Sequence, residues 1–276
     1  MLYLVGTPIG NMSDISSRAI EILGQVDFIA CEDTRVTGIL LKNIGIEGKR
    51  LISYHEHNKA SKGLEIVDLL KQGFDVAQVS DAGMPAISDP GEDLVLLCIK
   101  EDLEFTVVPG PVAAVTALVM SGLSTRYYHF EGFLPNFGGD RKARLGKLSE
   151  FEETIVLYEA PHRLKKLIEE LQKEGFGQSR ISLCRELTKK YEEVLRMTVD
   201  EAASYYERNE PRGEYVVCLE PLIRKAAAFN EEELEAQVRA MRDEGMPVKK
   251  IAEVLSSDTG MSKKEMYVKV LNLLKS

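Results

Sequence analysis

The chain has 276 residues, 44% of them hydrophobic, enough to bury sizeable cores and, on length alone, to form about two domains. With 35 Lys and Arg against 44 Asp and Glu its net charge is −9, so nucleic-acid binding has to rest on local basic surface rather than on long-range attraction. No apolar run approaches the roughly 18 residues of a membrane span, and the first residues enter a strand without a basic leader, so a cytoplasmic protein without a membrane partner is expected.

Apolar runs at residues 2–5, 26–31, 50–54, 76–79 and 105–108 alternate with helical patterns that end near Leu23 and Ile44 and span 59–71, 91–100 and 112–120. Five strands joined by short crossovers predict a mostly parallel sheet. Three of its loops share one style. Gly6-Thr-Pro-Ile-Gly-Asn11 follows the first strand, Ser80-Asp-Ala-Gly-Met-Pro-Ala-Ile-Ser-Asp-Pro-Gly91 the fourth, and Val107-Val-Pro-Gly-Pro111 the fifth. Gly and Pro punctuate loops of every kind, but three such loops at the carboxyl ends of strands describe the ligand-binding rim of an open α/β sheet. Asp89 is read as an N-cap with Pro90 as first helical residue. Neither G-x-G-x-x-G nor G-x-x-x-x-G-K-[ST] is present, so a phosphate-loop ligand is not expected.

The second half changes rhythm. Strands are predicted at 127–133, 154–158, 181–185, 193–197 and 214–219, helices at 162–173 and 199–208, and a loop over 132–140. Adjacent strands without an intervening helix imply a mixed sheet. Basic residues gather in Arg141-Lys142-Ala-Arg144, Arg163-Leu-Lys165-Lys166 and Lys189-Lys190, which are either solvated helix faces or parts of one patch. Cys31, Cys98, Cys184 and Cys218 sit in apolar segments without C-x-x-C spacing and read as core residues, and the four His have no metal-ligand spacing, so no metal is expected. After Pro221 three helical patterns, 231–242, 247–255 and 263–274, with a turn at Thr259-Gly, resemble a helix-turn-helix bundle. Its Lys249-Lys250 and Lys263-Lys264 begin helices, suiting an RNA-docking tail, with dimerisation or plain packing as the competing roles. The division expected is 1–121, 122–225 and 226–276.

In order along residues 2–220, Tyr3-Leu-Val-Gly-Thr-Pro-Ile-Gly-Asn11, Cys31-Glu-Asp-Thr-Arg35, Ser53-Tyr-His-Glu-His57, the 80–91 loop, Pro109-Gly-Pro111, Glu131-Gly-Phe-Leu-Pro135, Tyr158-Glu-Ala-Pro-His-Arg163, Arg185-Glu-Leu-Thr-Lys189 and Gly213-Glu-Tyr-Val216 stand as a colinear series. The series resembles the signature set of the 16S ribosomal RNA (cytidine 2′-O)-methyltransferases of the tetrapyrrole-methylase superfamily. That resemblance implies a two-domain α/β enzyme with a helical tail, a homodimer that binds S-adenosylmethionine between its domains and acts on the small ribosomal subunit. It also implies cofactor contacts at Pro8 and Ile9; at Asp81, Gly83, Met84, Ile87 and Ser88; at Val112 and Ala113; and at Tyr158, Glu159, Leu187, Gly213 and Glu214. The chain departs from the family pattern at Met84, where Thr is usual, at Val112, where Ser is usual, and at Gly6, where Ala is common.

A ribose 2′-hydroxyl is a poor nucleophile at neutral pH, so its methylation calls for a proton acceptor and a cation near the developing alkoxide. Glu32, Asp33 and Arg35 follow the second strand, and Arg185, Glu186 and Lys189 follow 181–185. Asp33 or Glu186 is expected to accept the proton and Arg35, Arg185 or Lys189 to hold phosphate or alkoxide, unless these groups form a structural ion-pair network. Two other readings stand beside this one: a methylase of tetrapyrroles or other small molecules, and a cofactor-binding assembly factor without turnover.

Overall fold

A computed structural model describes residues 1–222, 231–259 and 263–274. The chain forms two compact units, residues 1–222 and 223–276.

In the first unit β1 (Leu2–Val5), α1 (Ser17–Gln25), β2 (Phe28–Cys31), α2 (Thr34–Asn43), β3 (Arg50–Ser53), α3 (Lys59–Lys71), β4 (Val76–Val79), α4 (Glu92–Lys100), β5 (Phe105–Val108) and α5 (Ala113–Ser121) alternate as the hydrophobic pattern predicts. The sheet is parallel throughout, in the order β3-β2-β4-β1-β5. From β1 the chain moves toward β2, and from β4 it moves the other way to β5. Adjacent strands whose crossovers leave in opposite directions open a crevice at their carboxyl ends, which is where open α/β sheets bind ligands. Both faces are covered, by cores around Leu2, Leu4, Ile66 and Leu94 on one side and Val5, Leu23, Ile29 and Val79 on the other.

The second sheet contains β6 (Tyr128–Phe133), β7 (Thr154–Glu159), β8 (Arg180–Arg185), β9 (Glu193–Thr198) and β10 (Tyr215–Leu219), in the order β6-β7-β10-β8-β9. Only β6 and β7 pair in parallel. One face packs on α7 (Pro161–Lys173) and α8 (Val199–Arg208), and the other receives α5, whose Ala114, Ala117 and Leu118 meet Val156, Cys184 and Val216. Thus α5 leaves the first sheet and ends against the second.

Two local expectations are corrected. Residues 138–148, the end of the presumed loop and the residues after it, form a helix, α6 (Gly138–Leu148). Its three glycines hide the pattern, and Leu145 and Leu148 anchor it in the core. Asp89 is not the cap of α4. Gly91, at φ 146, holds that position, and an added Cβ there would lie 2.7 Å from the buried Gln78 amide, which donates to the Pro90 carbonyl.

In the second unit α9 (Glu231–Asp243), α10 (Val248–Thr259) and α11 (Lys263–Leu273) enclose a core of Leu234, Val238, Ile251, Leu255, Met266 and Val270. The expected boundary at 225/226 and the turn residue Gly260 lie outside the described residues. Lys250 and Lys263 both pair with Glu253, at 3.2 and 2.9 Å, which lowers the charge they offer to a partner. No helix among the described residues is long and apolar enough to cross a membrane.

Candidate functional site

The three loops of the parallel rim are stitched to one another. Thr7 and Gly83 exchange backbone hydrogen bonds of 2.9 and 3.2 Å, and the Gly110 amide donates to the Met84 sulfur at 3.2 Å. An added Cβ on Gly6 would come within 2.7 Å of both the Gly110 backbone and that sulfur. Gly6 and Met84, two departures from the family pattern, therefore share one space. Ala86 and Ser88 hold φ of 69 and 63 in the 80–91 loop, left-handed geometry that costs energy in side chains other than Gly and that concentrates at functional sites.

A cavity of about 390 Å³ opens beside these loops, within the range of small-molecule sites. Ile9, Gly83, Met84, Ile87 and Ser88 form its wall on the first sheet, with Val112 and Ala113 from the loop before α5. The second sheet contributes Tyr158, Glu159, Leu187 and Glu214. All of these are among the residues the family resemblance implies. The Tyr158 hydroxyl accepts the Ala114 amide at 3.2 Å, joining the wall to the start of α5, and burial pushes that phenol up. Glu159 is buried and balanced: its carboxylate pairs with Arg163 at 2.7 Å and lies 3.7 Å from Arg141.

Other expected residues stand off this wall. Pro8 is buried beside it, and Gly213, at φ 76, packs against Glu186 so closely that a Cβ would meet Glu186 Cγ at 2.6 Å. Asp81 accepts the Asp33 amide at 3.1 Å. Asp33 in turn caps α2 through the Arg35 amide at 2.8 Å and pairs with the Arg35 guanidinium at 2.6 Å. These bonds pull its carboxyl down to about 2, which makes it a weak proton acceptor. Glu186 is a brace: it accepts the Glu214 amide at 2.9 Å and the Lys189 ammonium at 3.1 Å, and the backbone bond holds its carboxyl low. Arg185 turns to Glu193 at 3.3 Å, and Arg35 stays with Asp33 in solvent. Of the five residues expected to carry chemistry, only Lys189 lines the cavity, and it is paired with Glu214 at 2.6 Å as well as with Glu186.

The cavity also has a carboxyl that the sequence reading assigned elsewhere. Asp89 lines it, and burial, followed by the nearby Glu32 charge, pushes that carboxyl up to about 6. Burial raises Glu32 too, with Asp81 adding to the effect. The signal in the sequence was present, since Asp89 shares its loop with Asp81, but an Asp before Pro-Gly has an ordinary capping explanation that masked it.

Comparison with known proteins places this geometry. Residues 1–203 match the family described as Tetrapyrrole (Corrin/Porphyrin) Methylases. A Synechocystis sp. protein described as ribosomal RNA small subunit methyltransferase I is 40% identical, covering 99% of this chain and 98% of its own. One of the same description from Halalkalibacterium halodurans is 47% identical over 79% of this chain and 75% of its own. Among solved structures, a uroporphyrin-III C-methyltransferase from Thermus thermophilus complexed with S-adenyl homocysteine has a TM-score of 0.58 at 16% identity, covering 81% of this chain and 98% of its own, a likeness of fold. The chain is a methyltransferase that belongs to the tetrapyrrole methylases and, within them, to the family of ribosomal RNA small subunit methyltransferase I.

Proposed function

We propose that this protein transfers a methyl group from S-adenosylmethionine to the 2′-hydroxyl of a cytidine in 16S ribosomal RNA of the small subunit. The observation that carries this reading is the near full-length likeness to a relative named for ribosomal RNA methylation. The cavity fits the cofactor's chemistry. Gly83, at φ 84, lets the 80–91 loop turn against Ile9 and line the cavity with backbone, while Met84, Ile87 and Leu187 offer apolar wall and Asp89 a carboxyl suited to a cationic ligand.

Bound there, S-adenosylmethionine supplies an electrophilic methyl group on a sulfonium that is its own leaving group. The work left to the chain is alignment and proton removal. Asp89 is the proton acceptor in this reading, because it lines the cavity with a carboxyl near 6, ionised at neutral pH yet basic enough to take a hydroxyl proton as the new bond forms. Lys189, held by Glu186 and Glu214 on the same wall, faces the developing alkoxide. Pro8, Asp81 and Gly213 act behind the wall, through the loops they shape.

The division into 1–121, 122–225 and 226–276, the homodimer, the cytoplasmic location and RNA docking by the tail belong to the same proposal. Mapping ribose methylation in small-subunit RNA with and without the protein tests it: a new 2′-O-methylcytidine supports it, and turnover of labelled S-adenosylmethionine without any mark on RNA defeats it. Deleting 226–276 is expected to leave cofactor affinity intact while methylation of the subunit falls.

A further inference from the structure

Five residues, Phe133 to Phe137, link the cavity to a second concave site. Phe133 lines the cavity, packs its ring at a tilt 5.4 Å from that of Tyr158 and is half exposed. Phe137, four residues on and so at most about 14 Å away, is 81% exposed. The segment between them is braced from beneath: Arg163 donates to the Leu134 carbonyl at 2.9 Å and to the Asn136 side chain, and Arg141 donates to the Pro135 carbonyl at 2.9 Å. Both arginines are anchored on carboxylates, Arg163 on Glu159 and Arg141 on Glu170 at 2.7 Å. An aromatic ring left in water at the tip of a segment fixed by one buried and one partly buried guanidinium group is not filling a core.

Beyond Phe137 lies a groove of about 260 Å³ whose lining includes Lys142, Lys166 and Lys173, all exposed. Lys142 and Lys173 have no ion pair among the described residues, and Lys166 reaches Glu170 only at 3.8 Å. Glu170 and Glu174 also line the groove, but Glu170 is taken by Arg141. In a chain of net charge −9 this is a local surplus of positive charge beside a bare ring. Single-stranded RNA is held by that pairing, with phosphates on lysines and a base stacked on an aromatic face.

We propose that Phe137 and the Lys142–Lys166–Lys173 groove bind the single-stranded RNA that flanks the target nucleotide, with one flanking base stacked on Phe137 and its phosphates in the groove. This rests on the RNA-methylation reading and extends it to a surface outside the cavity. Of the basic clusters noted in the sequence, Arg141 and Arg163 thus build the platform, and Lys142 and Lys166, joined by Lys173, make the contact.

The test uses the full-length protein, with small ribosomal subunits and protein-free small-subunit RNA as probes. Wild type failing to methylate either probe would defeat the RNA reading itself, whatever the groove does. With an active wild type, Lys142→Glu/Lys166→Glu/Lys173→Glu is expected to lower kcat/KM for RNA at least tenfold and to flatten the salt dependence of RNA binding by about 2 in log–log slope, at about 0.7 per phosphate. Phe137→Ala is expected to lower kcat/KM about tenfold and Phe137→Trp to restore it, since any aromatic face stacks. Calorimetric affinity for S-adenosylmethionine stays at the wild-type value in all three, which also reports folding. An unchanged salt slope in the triple variant, or Phe137→Ala as active as wild type, overturns the proposal. So does a defect on the subunit without one on protein-free RNA, which would assign the groove to a ribosomal protein.

Discussion

In the first sheet all four strand pairings are parallel, every carboxyl end faces one rim, and that rim is built from backbone: Gly6 against Gly110, Thr7 against Gly83, and Ala86 and Ser88 in left-handed geometry. In the second sheet three of the four pairings are antiparallel and the surface beside the cavity is built from charge, with Glu131 held by Arg144, Glu159 by Arg163 and Glu214 by Lys189. Topology explains the difference. Parallel strands gather their loops at one end, where close backbone approach makes a cradle, whereas antiparallel strands scatter their ends and must recruit side chains to shape a surface. The cradle suits a ligand gripped through backbone, and the side-chain surface suits one recognised by charge.

The sharpest way to break the second half of this comparison is to remove Arg141, whose side chain is only 3% exposed and which serves both Glu170 and the buried Glu159. Losing one member of a buried ion pair strands the other, so Arg141→Ala is expected to cost about 3 to 5 kcal/mol of stability in urea melts. A loss below about 1 kcal/mol would mean that Arg163 alone neutralises Glu159.

Asp89 tests whether the rim contributes chemistry as well as shape. As proton acceptor it must be ionised, so kcat is expected to fall as pH drops through about 6, and Asp89→Asn to lose on the order of a hundredfold in kcat with a flattened profile. Stability moves the other way. A carboxyl whose folded value lies above its unfolded value of about 3.9 stabilises at low pH, and that contribution is lost as pH rises through about 6. Asp89→Asn is therefore expected to be more stable than wild type at pH 7.5 by about 1 kcal/mol, water screening the exposed side of the group, with the difference closing near pH 4. A variant that keeps full turnover would remove Asp89 from the reaction.

Shape alone is tested at Gly83. Its φ of 84 strains any β-branched residue, and a Cβ there stands 3.3 Å from Ile9 Cγ2, so Gly83→Val is expected to weaken S-adenosylmethionine binding more than tenfold in calorimetry. Unchanged affinity would take this loop out of the site.

What the sequence revealed follows the same divide. Strand-loop-helix punctuation is local, so the parallel sheet and its three rim loops were legible from residues 2–121, whereas the residues of the cavity wall came only with the family resemblance. The roles of charged residues were not, because pairing is a property of three dimensions. Arg141, Arg163 and Glu186 look like surface charges along the chain, yet each is spent on a partner at least 28 residues away. Asp33 is the opposite case, its partner lying two residues off in a local cap. Helix α6 was lost to its glycines, which lower helix propensity without forbidding a helix that tertiary contacts secure.

Those glycines allow the finest comparison of the two regions, because one substitution is expected to change sign between them. At Gly6 a methyl group would meet the Gly110 backbone at 2.7 Å, where neither strand end can retreat without loosening the stitched loops, so Gly6→Ala is expected to destabilise. At Gly146, inside α6, an added methyl meets nothing within 4 Å and the backbone is already helical. There the substitution acts on the unfolded chain, by removing conformations that Gly alone can visit, and Gly146→Ala is expected to stabilise by about 0.4 to 1 kcal/mol. Thermal melts of the two variants read the contrast directly: a rise at Gly146 with a fall at Gly6 locates the backbone constraint in the cradle, and a fall at both would mean that α6 depends on a close approach of its own.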